Sequence, residues 1–466
     1  MEGLGLFPAV NTAAFLLCIV FLTYVTLIVI TYLRDRPSPP GDPSAAVWCI
    51  LMPCLDEADV VAGSVRRMLH DLPDVHIWCI DDASEDGTAE ILHTLAAAHE
   101  RVHVVSRRLP AARKGKGDAL NSGWRSVGAW VDAHGIDRST VIVGVVDADG
   151  NLDPDCLGAL AAEPYFGTPE VGAVQLAVRI ANRTTGDRRP PTSRLRRLLV
   201  DLQDVEFVGP IGAMQLLRRH TASVSMGGNG QFTRLTVLDE IAGWAGTPWH
   251  GALLEDFELG LFVLLSGHRT AYCHHSYVAQ EGLESIRLLV RQRSRWAQGS
   301  MQCARYLKAV LASRRIGNLG AFEIGYFLLM PWMQLAGTVV YALAYAILTW
   351  YLLAVGLDPG AWIASGQWGV LPLVLVGGIG PFFIWGPIYR RRVEPTTTRR
   401  RAAVLGLSSW LYSNLHYVAS WWAFFRLVDD RDDWKKSRRV TSVDATLVPD
   451  ADVPVGTADV ELSRTA

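Results

Sequence analysis

The chain has 466 residues, half of them hydrophobic and 19% charged, with a formal net charge of −2. That balance is too apolar for an ordinary soluble enzyme of this length and too polar for a pure membrane bundle. Near-neutral charge gives no footprint for nucleic-acid binding. Seven dispersed cysteines without a Cys-x-x-Cys pair argue against a disulfide framework or a zinc site, and they fit a reducing compartment.

Ala13–Leu33 is apolar or hydroxyl-bearing throughout, about the length a membrane helix needs. A signal peptide is the weaker reading because no Lys or Arg precedes the run. Residues 1–36 are therefore expected to form an N-terminal membrane anchor. From Val47 to about Val178, short apolar runs alternate with helical periodicity. The runs Val47–Met52, His76–Ile80, Val102–Val105, Val141–Val146 and Val171–Leu176 read as buried strands, and Val60–Leu69, Thr88–His99 and Asp118–Val131 as helices. This alternation predicts an α/β domain, residues 45–282, around a mostly parallel sheet, with ligands at the carboxyl ends of the strands. Pro53-Cys54-Leu55-Asp56-Glu57 follows the first strand without Gly-x-Gly-x-x-Gly, which excludes a nicotinamide-binding domain.

Three acidic stations and one basic-aromatic station lie in this polar stretch. Asp81-Asp82 ends the second strand, where a carboxylate can accept a hydrogen bond from the imide N–H of uracil. Ser84 or Asp86 nearby can simply cap the following helix. Arg113-Lys114-Gly115-Lys116-Gly117 opens a helix; cations beside glycines suit a diphosphate, as they also suit a solvated loop. Asp147-Ala148-Asp149 follows the fourth strand, two hard-oxygen donors at a spacing that suits Mg²⁺ or Mn²⁺, or an acidic turn before Gly150. Gly228, Asn229 and Gly230 form a turn that suits the floor of an acceptor site, or a plain loop. Glu255-Asp256 sits among apolar residues, where an acid is costly unless employed, so Asp256 is the candidate general base. Gln292, Arg295 and Trp296 share one helical face; Arg can neutralise a leaving diphosphate and an indole can stack on a sugar ring. Arg287, Arg291 and Arg293 read as a basic stripe facing lipid headgroups.

Residues 283–320 are expected as interfacial helices and 321–430 as a membrane region. Phe322–Leu357, broken by Pro331, reads as an interfacial lead-in followed by one span; Trp368–Tyr389 and Val404–Val428 are further candidates. The arginines at 390–392 and 399–401 place their loop in the cytoplasm by the positive-inside rule, and the polar domain with it. A full crossing by Val404–Val428 would then export Lys435, Lys436, Arg438 and Arg439, which the same rule disfavours. Residues 440–466 read as a disordered tail.

Taken in this order, the motifs between Pro53 and Trp296 resemble the processive family 2 glycosyltransferases: cellulose, chitin, hyaluronan and poly-N-acetylglucosamine synthases. Trp434-Lys435-Lys436-Ser437-Arg438 is also similar to a basic ending common among them. The resemblance implies a GT-A fold flanked by transmembrane helices in the cell membrane, with the catalytic domain cytoplasmic. It implies that Glu57, Asp81, Asp82, Lys116 and Asp147 contact a UDP-sugar and that Asp149 with Asp147 holds Mg²⁺ or Mn²⁺. It gives Asp256, with Glu255, the catalytic carboxylates. Gln292, Arg295 and Trp296 then stand at the nucleotide and the mouth of the acceptor channel. The implied reaction is inverting transfer of N-acetylglucosamine or glucose to a growing β-linked glycan with coupled export. The alternative is transfer of a single sugar to a lipid, and a non-catalytic membrane scaffold is a third reading. Leu254 stands where many members have Thr, and Asp56 where Asn is common, so no subfamily is implied.

Overall fold

The computed structural model describes residues 3–355, 360 and 377–429, and within them the side chains other than 3–15, 17 and several positions between 341 and 355. Helix α1 (Gly3–Arg34) precedes an alternating run: β1 (Val47–Cys54), α2 (Val61–Asp71), β2 (Val75–Asp81), α3 (Thr88–Ala98), β3 (Val102–Ser106), α4 (Lys116–Ala133) and β4 (Val141–Val145). Cys49, Ile50, Leu51 and Met52 are fully buried because β1 is covered on both faces, which is why it reads as one continuous apolar run. Alternate β1 residues pack with α2 and α3 on one side and with α4 on the other. β1 to β4 and α2 to α4 match the sequence reading.

The second half departs from it. The chain continues through β5 (Asn151–Leu152), α5 (Cys156–Leu160), β6 (Val171–Ile180), α6 (Arg194–Glu206), a π-helical turn at Phe207–Ile211, α7 (Gly212–Thr221), β7 (Gln231–Arg234), α8 (Leu235–Ala245), α9 (Glu255–Leu265) and β8 (Arg269–Gln280). The sheet order is β3-β2-β1-β4-β7-β6-β8-β5. β7 runs antiparallel to both β4 and β6, and β5 antiparallel to β8, so the sheet is mixed rather than mostly parallel. The short β7 inserts between the parallel half and the β6–β8 pair, and brings the glycine turn beside the carboxyl end of β4.

α10 (Ile286–Cys303), α11 (Leu307–Ala312) and α12 (Asn318–Val355) follow, then α13 (Gly380–Phe383), α14 (Trp385–Arg392), α15 (Arg399–Ser413) and α16 (Leu415–Val428). Two expectations change here. Pro331 does not break α12. Proline removes the N–H that would bond the carbonyl four residues earlier, and that carbonyl, Phe327 O, instead accepts the Ser300 hydroxyl at 3.2 Å. Val404–Val428 is two helices meeting at Asn414 rather than one rod. Among the described residues no helix is long and apolar enough to cross a membrane. The run Ala13–Leu33 and the end of Phe322–Leu357 fall partly outside the described side chains. Residues 368–376 of the Trp368–Tyr389 run, the Trp434–Arg438 ending and the tail 440–466 lie outside the described residues.

Polar ties hold these helices to the sheet domain. Glu323 of α12 accepts from Tyr24 of α1 at 2.8 Å and pairs with Arg218 of α7 at 3.1 Å. Asp35 pairs with Arg219 at 3.0 Å and with His275 at 2.8 Å. The arginine-rich loop docks on the same domain: Glu394 meets Arg179 at 2.9 Å, and Arg401 meets Asp201 at 2.5 Å.

Candidate active site

The acids gather where the carboxyl ends of β1 and β4 meet the start of α9. Asp147 leaves β4 in a tight turn whose backbone N–H donates to Asn229 Oδ1 at 3.1 Å. Lys116, at the start of α4, donates from Nζ to Asp147 Oδ1 at 2.7 Å. Burial works to lower the Lys116 pKa, but Asp147 and then Glu255 outweigh it, so the ammonium stays charged. Asp149 is buried, and its Oδ2 accepts the backbone N–H of Glu281 at 3.2 Å, just past β8.

Glu255 and Asp256 occupy the first turn of α9, where exposed N–H groups and the helix dipole favour anions. Even so, burial pushes Glu255 up to about 7 and Asp256 up to about 6, the mutual repulsion of the two carboxylates adding to Glu255 while Lys116 pulls both down. Gly228 packs directly on this carboxylate: at φ 77° a Cβ there would fall 2.7 Å from Asp256 Oδ2 and 3.5 Å from Lys116 Nζ. Gly228 thus makes room for the acid, while Gly230 is pressed against Val278 of β8 and does not reach the cavity. Of the three turn residues, Asn229 alone lines it.

Asp81 and Asp82 part company. Asp81 is buried and its Oδ1 accepts the Ser84 N–H at 3.1 Å, so it shapes the turn and does not line the cavity. Asp82 does line it, held by the Arg107 guanidinium and by the Arg113 N–H at 3.0 Å. Glu57 is buried, lines the cavity, and its backbone N–H donates to Thr88 Oγ1 at 2.8 Å.

Gln292, Arg295 and Trp296 of α10 complete the wall. Arg295 has no ion-pair partner among the described residues; burial and then Arg291 lower its pKa, while Glu255 acts the other way and ties its charge to the acid cluster. Arg293 is not part of a surface stripe. It is 4% exposed, pairs with Glu206 at 2.5 Å and lies 4.0 Å over the Trp296 ring.

Gln175 of β6 is a wall residue that the sequence reading passes over. Its Oε1 accepts the Gly227 N–H at 2.7 Å and its Nε2 donates to Asn229 O at 2.8 Å, fixing the turn that faces Asp256. Arg107 and Glu206 were also passed over; neither stands in a recognisable motif.

The lining groups share one cavity of about 1770 Å³, from which Asp81, Arg107, Gly228 and Gly230 are absent. Its polar end holds Glu57, Asp82, Lys116, Asp147, Asp149, Glu255 and Asp256. The same space continues between helices lined by Phe21, Leu22, Val25, Ile28, Met330 and Phe382. Asp147 and Asp149 supply hard carboxylate oxygens, the donor type a divalent cation takes, and no group of three or more His, Cys, Asp or Glu among the described residues could hold a metal alone. A cation here would therefore share the two carboxylates with phosphate oxygens.

A mixed α/β sheet thus carries paired acids at its strand ends, with an arginine of α10 lining the same cavity. The family described as glycosyltransferase like family 2 matches residues 46–299, and the chain belongs to it. The chain is 29% identical over 308 residues to a β-monoglucosyldiacylglycerol synthase of Synechocystis sp., a match covering 64% of this chain and 58% of that protein. It is 25% identical over 252 residues to a poly-β-1,6-N-acetyl-D-glucosamine synthase of Staphylococcus epidermidis, covering 53% of each. A solved mannosyltransferase of Pyrobaculum calidifontis, in complex with GDP-Man and Mn²⁺, aligns with a TM-score of 0.54 at 16% identity, covering 91% of this chain and 98% of that one. The fold is accordingly GT-A-like. The chain spans little more than half the length of the curated relatives it matches.

Proposed function

We propose that this protein transfers a single hexose from a nucleotide-diphosphate sugar, UDP-glucose or UDP-N-acetylglucosamine in the first instance, to the hydroxyl of a diacylglycerol-type lipid at the cytoplasmic face of the cell membrane. The observation that carries this reading is the shape of the cavity. Its volume of about 1770 Å³ exceeds the ~1,000 Å³ upper range of a single small-ligand pocket. Beyond the acids a large part of its wall, from α1, α12 and α13, is aliphatic and aromatic, with scattered polar groups such as Gln334, Thr338 and Ser420 among them. Acyl chains gain free energy from leaving water for such walls, whereas a hydrated glycan loses hydrogen bonds there. The similarity to glucosyldiacylglycerol synthases supports the lipid acceptor further, so the polymer product expected from the motifs gives way to the single transfer.

In this reading Asp82, Lys116 and Glu57 bind the nucleotide diphosphate and Arg295 offsets charge on it as it leaves. Asp256, its pKa raised towards neutrality, takes the proton of the lipid hydroxyl while that oxygen bonds the anomeric carbon from the face opposite the departing diphosphate. Glu255 keeps negative potential beside it, and Gln292 and Trp296 position the sugar. Asp149 and Asp147 would hold Mg²⁺ or Mn²⁺, which supplies further charge compensation at the diphosphate. α1 and α12 are the segments we assign to the bilayer, with the arginine-rich loop on the side of the sheet domain.

The test is product analysis. Purified full-length chain in detergent, given a panel of nucleotide sugars, Mg²⁺ or Mn²⁺ and a short-chain diacylglycerol, is expected to release nucleotide and yield a lipid carrying one sugar. A ladder of long glycans with no sugar in the organic phase would overturn the reading. It would favour the second one, glycan extension, which rests on the Gln292–Trp296 run.

A further inference from the structure

Among the described buried carboxylates that line the cavity, Glu206 is the one the mechanism leaves unused. Glu206 is the last residue of α6, immediately before the π-helical turn, a distortion that often marks functional positions. It is 8% exposed. Its Oε2 accepts from Arg293 at 2.5 Å and from the Tyr412 hydroxyl at 2.6 Å, and its Oε1 faces His416 Nε2 at 3.2 Å. Burial works to raise this carboxyl, but Arg293, His416 and Tyr412 overcome it and hold Glu206 down at about 2. The partners come from three elements: α10, which carries Trp296, and α15 and α16 of the C-terminal region. Arg293 in turn covers one face of the Trp296 indole at 4.0 Å, and Phe207, the residue after Glu206, meets the indole edge-on at 6.2 Å. Glu206, Phe207, Arg293, Trp296, Tyr412 and His416 all line the cavity.

We propose that Glu206 is a positioning residue: it fixes Arg293 against the inner face of Trp296, leaving the outer face for the acceptor, and it does so only while α15 and α16 are docked. The acceptor side of the reaction is thereby coupled to the C-terminal helices, although no residue of theirs belongs to the acid cluster. An indole covered on one face by a guanidinium and met edge-on by a phenyl ring is stiffer than one packed on aliphatic groups, and a stacking surface gains from being fixed beforehand.

The inference rests on Trp296 facing the acceptor, so its test is arranged to separate the two ideas. Glu206→Gln keeps the shape and removes the charge. It is expected to raise the acceptor KM or lower kcat at least tenfold while the donor KM stays within twofold. Tyr412→Phe, which removes one contact and leaves the ion pair, is expected to show a smaller shift of the same kind. Trp296→Phe added to Glu206→Gln is expected to cost little beyond either change alone, because both act through the indole. Turnover is read as nucleotide release with whichever acceptor supports it, so an error about the lipid does not decide the coupling. Equal changes in donor and acceptor KM, or fully additive losses in the double variant, would sink the proposal. If Glu206→Gln does not fold, the Tyr412→Phe and Trp296→Phe pair gives the same additivity test.

Discussion

At the scale of single residues, the reactivity proposed for Asp256 comes from burial. A carboxyl whose pKa is higher folded than unfolded binds its proton more tightly in the native state. It therefore stabilises the fold least once ionised, and stability declines as pH rises from about 4 through the raised values. Asp256 at about 6 and Glu255 at about 7 both behave this way. Activity moves in the opposite direction, since the base must be unprotonated. Transfer is expected to fall as pH drops below about 6, and Asp256→Asn to lose about 10²–10⁴-fold of it while still binding nucleotide. At pH 8 the same variant should melt higher than the parent, by about 1 °C for each kcal/mol of relieved desolvation in a chain of this length. Thermal melts and pH–rate profiles check both halves; an unchanged rate would remove Asp256 from its role. Gly228 gives a neighbouring test. Gly228→Ala places a methyl 2.7 Å from Asp256 Oδ2 and is expected to cost activity in addition to the stability lost at a left-handed backbone position. Gly230→Ala, which meets Val278 at 2.6 Å, should chiefly lower the melting temperature.

At the scale of elements, α12 passes through Pro331 because another helix supplies the missing donor. Ser300→Ala would orphan Phe327 O, a change expected to cost about 1–3 kcal/mol. Pro331→Ala restores the helical bond and should make Ser300→Ala nearly neutral, so a double-mutant cycle read by thermal melting decides the point. The same scale shows what the sequence makes visible. β1, β2, β4 and β6 are apolar runs because both faces of the sheet are covered there, and the acids that follow β1, β2 and β4 are easily found. β7 reads Gln-Phe-Thr-Arg, and its buried Gln231 and Thr233 carry no hydropathy signal, so the antiparallel insertion is silent in one dimension. Asp81, Arg293 and Gln175 are silent for a related reason. What they do depends on which neighbour captures them, as when Gln175 meets a turn 52 positions away.

At the scale of the whole molecule, catalytic acids and apolar helices enclose one continuous space, and that continuity can be interrupted selectively. Val25 of α1 lines the far part of the cavity, well removed from the acids in the chain. Val25→Trp is expected to raise the KM for a diacylglycerol acceptor at least tenfold and to leave nucleotide release to water unchanged. Parallel loss of both would mean that the two ends are not the separate halves proposed. The cysteine thiols carry a practical consequence of the same enclosure. Six are buried, with Cys79 and Cys273 pushed by burial up to about 12 and 11, whereas Cys18 is exposed and looks into this space. Buried, protonated thiols resist alkylation. A small maleimide should therefore tag the native chain at one place, and shielding of that place by added lipid would serve as a chemical gauge of occupancy needing no engineered label.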